Sequence, residues 1–402
     1  MIVQIPRRLA LFVLAALLLA GVPAAAAQAA DPQPEHALIR LFTSPHLDDR
    51  WLAPDFAADI YAPRGLVATR DDLAAAIRTY LDAFGALRDV EADGEALVVV
   101  LERATVRMSV TLDQEGRITL VTGDPPVPDG FAAVDRSLDQ LDGEASMLVT
   151  EDRRDIYARA PEVPRGVGSA FKMAVLKAYL DRIAAGGASW SDVVEMRPQW
   201  RIPGSQMATW LDGSRITTET LATLMISLSD NTATDALISL LGREAVEALS
   251  PRNTPLLSTR DLFLLKRKGN EGELERWRKG DVAARRALLA ELDAREVDWS
   301  TYELGELAPD VEWFFTAREL CALVAEVGEA RAMQANPGAA RAQDWEAVAY
   351  KGGSEAMLVS VTHSLRHADG RAFCVTGAWN EDEPIDHDRF ILIAAGAIQL
   401  LR

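Results

Sequence analysis

Ser169-Ala170-Phe171-Lys172-Met173-Ala174-Val175-Leu176-Lys177-Ala178-Tyr179-Leu180 is the stretch on which the fold turns. Phe171, Met173, Ala174, Val175, Leu176, Ala178, Tyr179, Leu180 and Ile183 leave little polar face, and a helix apolar nearly all round is a buried one. A three-residue step puts Ser169 and Lys172 on one face, a turn apart. A lysine in a buried first turn is costly while charged, so its pKa falls and it can act as a base. A serine at the helix start has backbone N–H groups and the positive end of the helix dipole aimed at its oxygen. These are the ingredients of a serine nucleophile activated without histidine. The chain holds 36 Arg and only 6 Lys, which makes a lysine so placed informative. Taken alone, the pair reads as readily as a capping serine beside a snorkelling lysine.

Two further segments agree. Ser229-Asp230-Asn231 lies between predicted helices at Thr218–Leu228 and Thr232–Leu241, the latter closed by Gly242; alone it is an ordinary N-cap. Lys351-Gly352-Gly353 ends the predicted strand Ala347–Tyr350; alone it is a turn after an edge strand. Two of the six lysines fall on these motifs. Ser-x-x-Lys, Ser-Asp-Asn and Lys-Gly-Gly, in this order and these contexts, resemble the class A β-lactamase and penicillin-binding protein superfamily over roughly residues 131–402. The sixty-residue step from Ser169 to Ser229 is similar to that of class A enzymes. Val167–Lys172, Lys-Gly-Gly, the proline-rich linker and the preceding small α+β domain most resemble a narrower group. It includes the β-lactamase-like protein of clavulanic acid biosynthesis, whose first domain is similar to steroid-isomerase or cyclase folds.

The resemblance implies roles. Ser169 attacks a strained amide or ester carbonyl and Lys172 takes its proton. Ser229 relays a proton to the leaving nitrogen, and Asn231 orients Lys172 and the substrate. Lys351 supplies positive potential for a substrate carboxylate and for Ser229. The N–H groups of Ser169 and Ser354 form the oxyanion hole, each donor worth roughly 3–4 kcal/mol in comparable sites. Gly352, Gly353 and Ser205, the last in the Ile202–Ser205 loop, are candidate substrate-binding residues.

Three departures limit the expected activity. Residue 352 is Gly where most β-lactamases carry Thr or Ser, so a hydroxyl for the substrate carboxylate is missing. The stretch Thr254–Lys266 after Ser-Asp-Asn has no glutamate to activate the water that releases the acyl group. Losing a general base typically costs about 10²–10⁴ in that step, so slow deacylation is expected. Asp261 is a substitute, though a structural Arg260/Asp261 pair is favoured. The charge-rich Arg267–Ser300 insert, with helical character, is read as a solvated excursion. Alternatives to the hydrolase are a penicillin-binding DD-peptidase and a non-catalytic acyl or β-lactam binder.

Outside the motifs, the pattern divides the chain into 1–29, an export signal; 30–123, a small α+β domain of helices followed by an antiparallel meander; 124–130, a Pro/Gly/Asp linker; and 131–402. In the last, strands from both ends form one antiparallel sheet beside an all-helical insert, giving an α+β fold. Arg7 and Arg8, the apolar run Leu9–Val22 and the alanines up to Ala29 make the signal, which is too short for a stable membrane span. The protein is therefore expected in the periplasm or outside the cell. With 60 Asp+Glu against 42 Lys+Arg and a net charge of -18, it lacks the basic surface a nucleic-acid binder needs. Cys321 and Cys374 can pair in an oxidising compartment; two unpaired core thiols are the favoured reading. Neither a metal nor a cofactor is expected: Asp386-His387-Asp388 is explained by a helix start, and the other histidines lack ligand spacing. The partner is a small acyl substrate, and the oligomeric state is open.

Overall fold

The computed structural model describes residues 33–44, 46–60 and 70–402, so the expected export signal lies outside the described residues. The first part comprises α1 (Pro34–Thr43), β1 (Leu52–Ile60), α2 (Arg70–Phe84), β2 (Leu87–Asp93), β3 (Ala96–Leu101), β4 (Ala104–Leu112), β5 (Ile118–Gly123) and β6 (Val127–Pro128). Its sheet runs β1-β5-β4-β3-β2, with β6 also paired to β4. Among the described residues only β1 and β5 run parallel. The β3–β5 meander follows the alternation in the sequence. β2 escapes a pattern reading because it is an outer strand on which only Val90 is buried.

The second part begins with α3 (Phe131–Leu138), β7 (Glu144–Glu151), β8 (Arg154–Arg159) and β9 (Arg165–Gly166). A 3-10 turn at Gly168–Phe171 leads into α4 (Lys172–Ala184). Then come β10 (Val193–Glu195), β11 (Arg215–Thr217), α5 (Thr218–Ser227), α6 (Asn231–Leu241), α7 (Arg243–Glu247), α8 (Thr259–Leu265), α9 (Glu271–Lys279) and α10 (Val282–Asp293). The chain returns through β12 (Phe314–Phe315), α11 (Ala317–Val327), β13 (Ala347–Tyr350), β14 (Gly353–Glu355), β15 (Leu358–Arg366), β16 (Ala372–Asn380) and α12 (His387–Gln399). Strands from the two ends form one antiparallel sheet, β13-β15-β16-β7-β8, with β14 also on β15. The α+β architecture of a terminal sheet beside a helical insert is the one the sequence pattern implies.

Local chemistry sets the helix starts. Thr217, Asp230 and Asp281 cap α5, α6 and α10 through side-chain oxygens. Ser258 and Thr316 open α8 and α11 with reciprocal capping boxes. α4 is the apolar axis of the helical core: Met173, Ala174, Val175, Leu176 and Tyr179 are all buried within it. α12 lies against the sheet and also touches the first part, where Phe390, Ile393, Ala394 and Ala397 join one apolar cluster with Phe84, Met108 and Val121. A Cβ at Gly396 would lie 2.8 Å from Pro128 and 3.3 Å from Phe84, so glycine permits this approach.

Two expectations are corrected. The insert after Arg267 is not a solvated excursion, because Leu274, Trp277, Leu288, Leu289 and Leu292 are buried in the core around α4. Its charge occupies only the outer faces of α9 and α10, and amphipathic helices hide their apolar stripe from a composition count. Cys321 and Cys374 are not free thiols: α11 packs on β16, bringing their Cα atoms to 5.8 Å, and the sulfurs are bonded. Cys374 is a core residue and Cys321 is half-buried against the same core, so both look like core in sequence; their proximity is a tertiary fact.

Candidate active site

Gly168, with φ +49°, turns the chain sharply into the 3-10 segment and sets Ser169 immediately before α4. The Ser169 hydroxyl, on a half-buried residue, has no hydrogen-bond partner among the described residues. One turn on, Lys172 is 0% exposed. Its Nζ reaches across to the loop between α5 and α6, donating to Ser229 O at 2.6 Å and Asn231 Oδ1 at 2.7 Å, and lies 3.1 Å from Ser229 Oγ. Burial pushes this amine well below the usual lysine range, and the neighbouring Lys351 charge pushes the same way; Asp235 and Asp230 oppose them.

Ser229 has φ +57°, left-handed backbone that a non-glycine residue adopts at a cost of order 1–3 kcal/mol. The conformation presents both its carbonyl and its hydroxyl to Lys172. Asp230 holds the turn by accepting from Ala233 N at 2.8 Å through one oxygen and from Met207 N at 2.9 Å through the other. Ser205 Oγ accepts from Thr232 N at 3.2 Å, and Thr232 Oγ1 accepts from Ile202 N at 3.0 Å. The Ile202–Ser205 loop is thus stitched to the first turn of α6, and the Ser205 hydroxyl serves that stitch.

Lys351, buried at the end of β13, donates to Gly352 O at 2.5 Å and Ser229 Oγ at 3.1 Å. Burial lowers its pKa to about 7. One hydroxyl, Ser229 Oγ, therefore bridges two buried amines. Gly353 runs alongside the 3-10 turn so closely that a Cβ there would overlap Ser169 N and Val167 O. Reciprocally, a Cβ on Gly168 would lie 3.1 Å from Ser354 N. The Lys-Gly-Gly strand and the Ser169 turn meet backbone to backbone, setting the amides of Ser169 and Ser354 near one another. Ser360 Oγ donates to Val167 O at 2.7 Å and fixes the contact.

Gly352 has its own cause. A Cβ at 352 would overlap Tyr350 Oη and lie 2.8 Å from Ser360 O. The Tyr350 hydroxyl occupies the volume where a residue-352 side chain would stand, and it has no hydrogen-bond partner among the described residues. Tyr350 packs on His363 with ring centroids 4.6 Å apart. Nothing in the sequence pattern points to Tyr350, which reads as an ordinary strand residue; only the tight Gly352 beside it is a hint.

The Thr254–Lys266 stretch differs from its sequence reading in one detail. Asp261 is fully buried, and Oδ2 accepts from Ser258 N and Ser258 Oγ, both at 2.7 Å, while pairing with Arg243. Its ion-pair partner is thus Arg243, not Arg260, because Arg260 donates to Arg295 O and lies over Trp299. Through Oδ2 Asp261 closes the capping box of α8, while its Oδ1 is buried with no hydrogen-bond partner among the described residues. Asp235 receives Thr259 N, Thr259 Oγ1 and Arg260 N at 2.5–2.8 Å, and burial raises its pKa to about 6. The sequence reading also passed over Lys266, whose Nζ pairs with Glu312 at 2.8 Å and Glu355 at 2.5 Å. Burial pushes the Glu312 carboxyl up against the pull of Lys266. This bridge joins α8, the β12 approach and β14.

Among the described residues, no group of three or more His, Cys, Asp or Glu side chains could hold a metal ion. No helix among them is long and apolar enough to cross a membrane. Residues 132–260 match the family model of the β-lactamase enzyme family. Among solved structures, the chain is similar to a β-lactamase from Sphaerobacter thermophilus, at 19% identity over 68% of this chain and 95% of that one, with TM-score 0.47. It is similar to PBP-A at 14% identity over 67% and 94%, with TM-score 0.46. A β-lactamase from Francisella tularensis shows 12% identity over 67% and 98%, with TM-score 0.48. No curated protein matches the chain.

Proposed function

We propose, from the family match over residues 132–260 and the α+β fold that carries it, that this chain is a serine hydrolase of the β-lactamase and penicillin-binding protein superfamily. It forms an acyl-enzyme on a β-lactam, ester or related acyl substrate and releases the acyl group slowly. The observation that carries this reading is the Lys172 amine: fully buried, hydrogen-bonded to Ser229 and Asn231, and one helical turn from the unpartnered Ser169 hydroxyl.

A neutral amine has two N–H bonds and one lone pair. The carbonyl oxygens of Ser229 and Asn231 engage the two donors, which leaves the lone pair free to accept the Ser169 proton. The Ser169 oxygen then bonds to the substrate carbonyl carbon, and the carbonyl electrons move to an oxyanion facing the amides of Ser169 and Ser354. Collapse of this intermediate breaks the bond to the leaving nitrogen or oxygen. That atom takes a proton from Ser229 Oγ, which is replenished from Lys172 across the 3.1 Å contact. Lys351, when charged, and the Tyr350 hydroxyl face an anionic substrate group; Tyr350 stands in for the hydroxyl that Gly352 lacks. Hydrolysis of the acyl-enzyme needs a base for water, and Asp261 is fully buried with its Oδ2 committed to Ser258 and Arg243. That commitment supports slow release.

The chain is read as acting outside the cytoplasm. The amino-terminal pattern of residues 1–29 and the Cys321–Cys374 bond, which persists in oxidising compartments, support this.

Intact-mass spectrometry with penicillin, nitrocefin-type and small ester probes tests the reading. One acyl adduct per chain is expected, persisting for minutes or longer and absent from Ser169→Ala and Lys172→Met. Labelling that survives in Ser169→Ala would refute the assignment, rapid multiple turnover of penicillin would refute slow release, and release of terminal D-Ala from stem peptides would move the protein to the peptidases.

A further inference from the structure

A cavity of about 170 Å³ opens between the 252–257 segment, the insert helices α9 and α10, and the approach to β12. None of its lining residues belongs to the Ser169 centre. Its walls carry three guanidinium groups, Arg252, Arg278 and Arg285, the last two from the insert. Arg285 is seated on Trp277 of α9: its guanidinium carbon stands 4.9 Å from the ring centroid, and Nε donates to Trp277 O at 2.8 Å. The other charges around the cavity are matched. Arg278 donates twice to Asp310 at 2.8 Å and once to Glu306 at 2.7 Å. Arg252 pairs with Glu319 at 3.1 Å, and Glu312, the other acidic residue of the lining, pairs with Lys266. Arg285 alone of the three has no carboxylate partner among the described residues, and its two terminal nitrogens have no hydrogen-bond partner there.

In a chain of net charge -18, this is one uncancelled positive charge facing a concavity, with two further guanidinium groups beside it. Guanidinium forks match the paired oxygens of carboxylate and phosphate. The volume is below the roughly 300–1,000 Å³ of drug-sized ligand sites, so the occupant is small. We infer that this cavity binds a small oxyanion, a phosphate or a short-chain carboxylate, which clamps the insert helices to the 252–257 segment. Trp313 connects the cavity wall to the Ser169 turn. Its indole N–H donates to Leu257 O at 2.9 Å, and its ring stacks on Phe171 with centroids 3.8 Å apart and planes 7° from parallel. Phe171 stands between Ser169 and Lys172 in the chain, so the anion braces a wall on which that turn rests. Binding of this kind does not depend on the chemistry at Ser169.

The experiment titrates the protein with phosphate, acetate and succinate, against chloride at matched ionic strength. It follows thermal unfolding and tryptophan fluorescence, to which Trp277 and Trp313 contribute from the cavity wall. Saturable binding with a Kd in the millimolar range or below, and a raised unfolding midpoint, are expected with phosphate or a carboxylate and not with chloride. Arg285→Met keeps an apolar stem over Trp277 and should weaken binding by at least about tenfold, the scale of a charge-assisted hydrogen bond. Arg252→Met should weaken it about threefold or more, and it decides the matter if Arg285→Met does not fold. Arg276→Met, which removes an exposed charge paired with Glu291 on the same insert, should leave binding within about twofold. A preference for phosphate and a preference for carboxylate both uphold the site and say which ligand it serves. Equal responses to chloride and oxyanions, no saturable response, or binding unchanged in both Arg285→Met and Arg252→Met overturns it. A response abolished by Lys351→Met and kept in Arg285→Met places the anion at the Ser169 centre and overturns it equally.

Discussion

Lys172 and Lys351 both lean on the Ser229 hydroxyl, and burial lowers both of their pKa values. The two amines answer pH differently. Burial holds the Lys172 amine well below the usual lysine range, whereas Lys351, at about 7, is charged below neutrality and neutral above it. Its attraction for an anionic substrate is therefore present at pH 6 and lost as the pH rises through 7. KM for acylation by a carboxylate-bearing penicillin should climb about tenfold between pH 6 and 8.5, the scale of one charge-assisted hydrogen bond. A neutral ester should show no such climb, and matching profiles for the two substrates would count against Lys351 as the anion partner. The same shift has a stability consequence of opposite sense: above about pH 7 the unfolded chain holds a proton the folded one has shed, so this lysine's contribution to stability rises with pH up to its ordinary pKa. Tyr350 gives a second test. Tyr350→Phe removes one neutral donor and keeps the ring against His363, so KM for the carboxylate substrate should rise about threefold to tenfold while the fold holds. An unchanged KM would confine Tyr350 to packing.

Among the elements, the turn between α5 and α6 is the most demanding, since left-handed Ser229 must be held against its own preference. Asp230 does the holding from two sides, capping α6 and fixing Met207 N. Asp230→Ala should cost about 1–2 kcal/mol in denaturant unfolding, the scale of a lost N-cap. It should slow Ser169 acylation by more than the loss of folded protein accounts for, because Ser229 no longer presents its oxygens to Lys172. Equal losses of stability and of rate-competent protein would make the cap a purely structural device. At this scale the sequence is eloquent about α4, whose apolar circumference announces burial. It misleads about the insert, where Leu274, Trp277, Leu288, Leu289 and Leu292 are diluted among arginines and glutamates until folding gathers them on one side.

Across the molecule, the Cys321–Cys374 bond ties the helical core to the central strand β16 and closes a 53-residue separation. Loop-closure entropy for that length is about 4 kcal/mol, and measured values commonly fall at 2–4 kcal/mol. The C321A/C374A variant should therefore unfold at clearly lower denaturant than the oxidised wild type and match the reduced one; coincident oxidised and reduced transitions would contradict the bond. By itself the sequence determined the α+β class, the order of a terminal sheet around helices, and the three motifs around Ser169, Ser229 and Lys351. Hydrophobic period and cap chemistry are local, and motif residues keep their identity wherever the chain goes. Only the tertiary structure decided that two cysteines meet, that Tyr350 fills the space beside Gly352, that Asp261 belongs to Arg243, and that Lys266 bridges Glu312 and Glu355. Each of these joins residues from separate elements, and pairing at such range depends on how helices and sheet dock, which no window along the chain contains.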